Sequence, residues 1–251
     1  KEGDEDSPGL DLVFVNELPP DFIPTGYPEL DDAIALGDIK QHSLLSDTGT
    51  AKIAGGLPRG RLVMLYGDNG SGKSSLAYRV CGYAQRMGGW CAWFDAENSF
   101  SPALAEINAC VMAKLGRKNL FNPDKPDIIY SAEYVLDMMM EACKQKASVV
   151  VLDSVATLVP KIVLENPAEQ ETMAVLARVL AKTLPKIASY AAANNTLVIF
   201  INQIRMKPGV AFGNPETHPG GKAIGHACSV ILKMTKLTAK ENFYYIENED
   251  G

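Results

Sequence analysis

Long apolar runs are missing from this chain. Stretches such as Leu197 to Ile201 have the length of a buried strand, far short of the roughly 18 apolar residues that a membrane-spanning helix needs. A helical membrane protein is therefore excluded. Metal-type cysteine spacing is missing too. Cys81, Cys91, Cys110, Cys143 and Cys228 are scattered without CxxC or Cys/His spacing, which argues for reduced, buried thiols over a zinc site or a disulfide framework. No internal repeat or low-complexity array occurs, which sets aside a repeat architecture. A methionine start is absent as well: Lys1 stands first, so a targeting segment would lie outside this sequence.

Positive charge is scarce overall. The net charge of −6 taken as one number argues against a nucleic-acid partner, but its distribution argues otherwise. Residues 1–11 carry one lysine against five acids, whereas residues 178–236 carry eight Lys/Arg against Glu216 alone. A local basic face on an acidic protein is what binding to backbone phosphates requires. A solvated basic surface with no partner is the other reading of the same charges.

What is present fits one large α/β domain: 251 residues, 47% hydrophobic and 22% charged, enough for a well-buried core. The acidic start reads as a tail, and Leu12 to Val15 as a short β run before Pro19-Pro20. This sets residues 1–21 apart from a core over 22–251. Residues 37–53 are polar and unpatterned, a surface loop. Strands are expected at 61–66, 90–96, 128–130, 149–153, 196–202 and 228–234, with an edge strand at 243–247. Helices are expected after residue 73, from Ser101-Pro102 to Gly116, over 131–146, and over 171–193, where Pro185 predicts a kink or break. Strands alternating with helices, several of them uniformly apolar, predict a mostly parallel twisted sheet covered on both faces, with antiparallel strands at its edges.

Gly67-Asp68-Asn69-Gly70-Ser71-Gly72-Lys73-Ser74 fits GxxxxGK[ST] at every position, between a hydrophobic strand and an amphipathic helix. Glycines let the backbone turn its N–H groups onto phosphate oxygens, and the helix N-terminus adds a positive dipole end. Lys73 is expected to neutralise the β/γ-phosphates of ATP and Ser74 to hold Mg²⁺. Val149 to Leu152 end in Asp153, the strand-terminal carboxylate that supplies the second magnesium partner. Asp95-Ala96-Glu97 ends another strand at the carboxyl edge, where ligands sit in such sheets, and Glu97 is the natural general base. A turn-capping Asp153 and a plain surface Glu97 are the bland alternatives.

The stretches GGLPRGRLVMLYGDNGSGKSS (55–75), CAWFDAE (91–97), VVVLDSVATLVPK (149–161) and NTLVIFINQIRMKPGVAFGNPETHPGGKA (195–223) closely resemble the RecA family of homologous recombinases. The resemblance runs over about 22–236, apart from an insertion at 38–53, and its most specific part is Asn202 to Gly221. It implies a RecA-like P-loop core and a DNA-dependent ATPase. Such a protein forms a head-to-tail helical filament on single-stranded DNA and exchanges strands with homologous duplex DNA. It works in the cytoplasm, at the nucleoid or in a virus's host. By position, Ser75 joins the nucleotide-binding stretch and Glu97 is the water-activating carboxylate. Gln203 is the γ-phosphate sensor leading into a DNA-binding loop. Lys73, Glu97 and Gln203 thus form the candidate catalytic set, and Ser74 and Asp153 the metal set. Two DNA-facing loops are implied, near 161–172 and 205–225. Met173 matches an apolar side chain inserted into the stretched strand and Arg178 a phosphate-binding arginine. Arg205, Lys207, Gly220 and Gly221 complete the DNA set. Leu12 to Val15 is expected to pair with an adjacent protomer, with packing on its own subunit as the competing idea.

The sequence departs from the family at several of these places. Leu104 stands where a tyrosine stacks on adenine, and Ser101 where an aspartate lies near the base. Pro208 replaces an apolar wedge, Pro185 a DNA-contacting arginine, and Gly225-His226 a Lys-Phe pair that reaches the neighbouring subunit. The expectation is a divergent, core-fragment member. An ATP-binding recombination mediator and a hexameric helicase-type motor are the rival readings.

Overall fold

The computed structural model describes residues 22–36, 55–120, 130–166, 172–206, 216–217 and 219–236. In chain order the elements are β1 (Phe22–Ile23), α1 (Pro28–Leu36), β2 (Leu57–Pro58), β3 (Leu62–Gly67), α2 (Lys73–Arg86), β4 (Cys91–Asp95), α3 (Pro102–Ile107), β5 (Leu115–Asn119), α4 (Ala132–Lys144), β6 (Val149–Asp153), α5 (Lys161–Glu165), α6 (Thr172–Ala193), β7 (Leu197–Gln203), β8 (Arg205–Met206), β9 (Glu216–Thr217), α7 (Gly221–Ala227) and β10 (Val230–Met234).

Six strands form one sheet in the order β10-β3-β7-β6-β4-β5, and every pairing in it is parallel. The antiparallel pairings lie apart from it, in the two-stranded ribbons β1-β2 and β8-β9. Alternation along the strands feeds two cores. Met64, Phe94, Leu152 and Phe200 face Leu136 and Met139 of α4 and Leu180 of α6. Val63, Leu65, Trp93, Val151 and Ile199 face Leu76 and Val80 of α2. Side chains of a strand point to opposite faces in turn, so a strand buried on both faces is apolar along its length, here up to the aspartate that ends β4 and β6. β4 and β6 are buried at all five positions.

The chain runs outward from β3 to β4 and β5, then returns to insert β6 and β7 between β3 and β4. That reversal is the topological switch point at which open α/β sheets bind ligands. It puts the carboxyl ends of β3, β7, β6 and β4 side by side. Gly67 is in register with Gln203, and Asp95 with Asp153.

Three expectations are corrected. The strand after α3 is Leu115–Asn119, not 128–130: Tyr130 is outside any strand, and residues 128–129 lie outside the described residues. Gly116 is accordingly a strand residue and not a helix end, since α3 stops at Ile107. With an exposed edge and only Leu115 buried, β5 lacks the apolar signature that betrays the central strands. Pro185 does not break α6, which runs unbroken from Thr172 to Ala193. Proline inside a helix costs ~3 kcal/mol, and burial of Leu180, Leu184, Ile187 and Ala191 against α4 offsets it. Helix starts follow the sequence signals: Ser101 and Ser131 cap α3 and α4, accepting from Leu104 N and Tyr134 N, and Pro102 opens α3.

The N-terminal run Leu12 to Val15, the 37–53 loop and the 243–247 strand fall outside the described residues. No helix among the described residues is long and apolar enough to cross a membrane.

Candidate active site

β3 runs directly into the glycine loop. A Cβ on Gly67 would lie 2.1 Å from the Met234 carbonyl oxygen of β10, so the strand end tolerates no side chain there. Gly70 and Gly72 adopt φ of 75° and 88°, in the left-handed region that favours glycine. The loop wraps its own lysine: Lys73 Nζ donates to Gly67 O at 3.0 Å and to Asp68 O at 2.7 Å. Burial lowers the Lys73 pKa, and the nearby carboxylates of Asp153, Glu97 and Asp68 oppose that shift. Asp68, Asn69 and Gly70 are exposed at the rim, and Ser75 is half-buried in the first turn of α2. Ser71 Oγ is buried without a hydrogen-bond partner, an orphan polar group within the loop.

Ser74 Oγ donates to Asp153 Oδ2 at 2.8 Å, which joins the two expected magnesium partners although 79 residues separate them. Burial pushes the Asp153 carboxyl up to about 6, with the Ser74 hydrogen bond opposing and the charges of Glu97 and Asp95 adding to the rise. A cation beside Asp153 would relieve that crowding of acids. Among the described residues no group of three or more His, Cys, Asp or Glu could hold a metal. The protein therefore offers the sparse Ser/Asp donor pair suited to Mg²⁺, which fills its remaining positions with phosphate oxygens and water. The orphan Ser71 hydroxyl, the cradle of glycines and this donor pair all fit a magnesium-bound triphosphate.

Glu97 lies two residues beyond β4. Its backbone N–H and that of Ala96 donate to the Asp153 carbonyl at 3.1 and 2.6 Å. Its Oε1 accepts from Gln203 Nε2 at 2.8 Å and from Ser154 Oγ. Among the described residues Oε2 accepts no hydrogen bond, so one carboxylate oxygen is anchored and the other is available for a proton. Ser154 follows a cis peptide bond after Asp153 and was not singled out from the sequence. Its position directly after the strand-terminal aspartate was the available signal. Asn202 was missed as well. It is fully buried, accepts from Gln203 N at 3.0 Å, and donates to Pro219 O at 2.9 Å, which ties the end of β7 to the start of α7.

Lys73, Ser74, Asp153, Glu97 and Gln203 are thus one constellation. The DNA set is less closely drawn together. Met173 is 45% exposed at the start of α6 and Arg178 is exposed further along it. Gly220 packs on the same helix: a Cβ there would lie 2.7 Å from Leu180 Cδ1, so helix packing accounts for its small size. Gly221 opens α7. Arg205 belongs to β8, and Lys207 lies outside the described residues. The 161–172 segment is not loop throughout, since α5 occupies its first five residues. The 205–225 segment contains the β8-β9 pairing and the start of α7. At the base side, Leu104 is exposed and Ser101 is spent on capping α3.

Comparison with known proteins gives the family. The family described as RecA N-terminal domain matches residues 31–248. A "Protein RecA" of Laribacter hongkongensis is 42% identical over 197 residues, covering 78% of this chain and 53% of the relative. That of Methylococcus capsulatus is 41% identical over 234 residues, covering 92% and 59%, and that of Rhodospirillum rubrum 42% over 186 residues, covering 74% and 48%. The chain spans about half the length of the curated relatives it matches. A family match over most of the sequence, with relatives about 40% identical, means that the chain belongs to the RecA family.

Proposed function

We propose that the chain is the ATPase core of a recombinase that assembles head-to-tail on single-stranded DNA and pairs it with homologous duplex DNA. The observation that carries this reading is the contact between Glu97 and Gln203. The first group can activate water. The second ends β7 immediately before the segment that the family resemblance assigns to DNA.

The chemistry follows from the site. The glycine loop and Lys73 would hold the phosphates, and Ser74 and Asp153 would hold Mg²⁺, which would supply neutralising charge there. Glu97, fixed through Oε1, takes the proton of an attacking water on its free Oε2. Gln203 can bond a phosphate oxygen in one nucleotide state and release it in another, and Asn202 relays that choice to Pro219 and α7. This is a local contact biasing a segment between two arrangements. The basic stretch 178–236, with Met173, Arg178, Arg205, Lys207, Gly220 and Gly221, supplies sequence-neutral contacts to the strand. Such a protein works in the cytoplasm, at the nucleoid or on viral DNA.

The test is capture of a labelled, unpaired oligonucleotide with a non-hydrolysable ATP analogue, with ADP and with neither. Tight capture with the analogue alone is expected. Equal capture in all three would remove the coupling and with it the recombinase assignment. Capture without strand exchange would favour a mediator.

A further inference from the structure

Among the described residues, Asp95 is the one buried carboxylate near the site that the mechanism above leaves unused. It is fully buried. Its Oδ1 accepts from Ser99 N at 3.0 Å, and its Oδ2 accepts from Phe100 N at 3.3 Å and from Arg117 Nη2 at 2.6 Å. The residue therefore closes the turn 95–100 onto its own first side chain, and Glu97 sits inside that turn. On the far side, the amides of Ala96 and Glu97 are tied to the Asp153 carbonyl.

Arg117 comes from β5, the next strand outward. Besides pairing with Asp95, its guanidinium lies over the Phe100 ring, 4.7 Å from the centroid. Phe100 in turn meets Tyr78 and Trp93 edge-on, at 5.4 and 5.8 Å. Two residues along β5, on the same face, Asn119 donates to Asn98 Oδ1 at 3.3 Å. The edge strand thus grips the turn at its aspartate, its asparagine and its phenylalanine.

We propose that Arg117 is a positioning residue for hydrolysis: through Asp95 and Phe100 it fixes the turn that presents Glu97, and so governs turnover more than nucleotide affinity. Removing the guanidinium leaves a buried carboxylate without its counter-ion, a costly arrangement that water entry or movement of the turn would relieve. Movement of the turn displaces Glu97, which sits inside it. A displacement of about 1 Å of a group aligned for reaction costs on the order of 100-fold in rate. The phosphate cradle hangs on β3 and β6, and neither the Asp95 nor the Phe100 contact of Arg117 reaches it, so the hold on the phosphates is spared. This inference rests on the hydrolytic reading of Glu97.

The experiment compares the whole chain with Arg117→Ala and Arg117→Lys, and with Lys118→Ala on the opposite face of β5 as control. The readouts are steady-state ATP turnover and amide hydrogen exchange. Arg117→Ala is expected to lose roughly 10- to 100-fold in kcat while KM stays within about twofold. Arg117→Lys, which keeps charge but not the planar fork, falls between. Millimolar guanidinium is expected to restore part of the Arg117→Ala turnover. Exchange at Ser99 and Phe100 is expected to quicken about tenfold in Arg117→Ala and not in Lys118→Ala. Unchanged kcat in Arg117→Ala, or a raised KM at constant kcat, overturns the proposal. If the parent chain hydrolyses no ATP, the ATPase reading fails on its own account. The exchange measurement then decides: wild-type protection of Ser99 and Phe100 without Arg117 dismisses the positioning role. Should Arg117→Ala fail to fold, Arg117→Lys carries the same comparisons.

Discussion

The side-chain amide of Gln203 donates to the carboxylate of Glu97 at 2.8 Å, across the intervening strand β6. The proposed general base and the proposed nucleotide sensor are therefore mechanically joined, and neither can change this hydrogen bond without altering the other's.

Gln203→Ala is expected to break both halves of the function. Glu97 keeps only its bond from Ser154, and the link through Asn202 to Pro219 no longer reports on phosphate. ATP turnover should fall by roughly 10- to 1,000-fold, and oligonucleotide affinity should become the same with ATP analogue and with ADP. Glu97→Gln should behave differently. It loses hydrolysis to a similar degree but keeps analogue-dependent capture. Parallel turnover and binding assays on the two variants check the contrast, and identical profiles would contradict it.

The Asp153 carboxyl, pushed up to about 6 by burial, makes a signed prediction about pH. A carboxyl with a raised native pKa binds more protons folded than unfolded. Stability should then fall as pH rises from about 4 to 6, and the cost, on the order of 1–3 kcal/mol, should persist above that. Bound beside Asp153 as proposed, Mg²⁺ would favour the ionised form and offset the cost, so it should raise Tm more at pH 7.5 than at pH 5. In Asp153→Asn the Tm response to Mg²⁺ should vanish, while Tm without Mg²⁺ at pH 7.5 should equal or exceed the parent's. Calorimetry across pH with and without Mg²⁺ measures all of these.

Gly67→Ala should be strongly destabilising. Its Cβ would lie 2.1 Å from the Met234 carbonyl oxygen and 2.9 Å from Ser71 Oγ, which forces β10 away from β3. Overpacking of this kind typically costs about 1–3 kcal/mol, or roughly 2–4 °C in Tm per kcal/mol for a chain of this size. Gly70→Ala meets no atom within 4 Å and carries only the strain of its positive φ, so it should unfold at a higher temperature than Gly67→Ala.

Thiol reactivity should be slow in the native protein. Cys81, Cys91, Cys110 and Cys143 are buried, and burial raises the thiols of Cys110 and Cys143 to about 11 and that of Cys228 to about 12. Thiolate is the reactive form. At pH 8 an aryl disulfide reagent should modify these positions at least tenfold more slowly than in denaturant. Rapid native labelling of Cys143 would refute its burial in the core.

The P-loop was legible because its chemistry is local: glycines, Lys73 and Ser74 must be contiguous to wrap a phosphate, and the flanking strand and helix carry opposite periodicities. Strands β3, β4, β6 and β7 were legible because burial on both faces makes them apolar up to their carboxyl ends. β5 was not, since an edge strand reading Leu-Gly-Arg-Lys-Asn has one buried residue and no apolar pattern. Pro185 misled in the other direction, because the packing of α6 outweighs a local preference.

The order of residues along the chain determined that a triphosphate site exists and which residues could build it. Only the tertiary structure decided that Gln203 and Ser154 share one oxygen of Glu97, and that Arg117 reaches Asp95. Those contacts join residues up to 106 positions apart. They exist because β6 and β7 insert between β3 and β4, and strand order is set by the packing of two cores against one sheet, not by any short stretch of sequence.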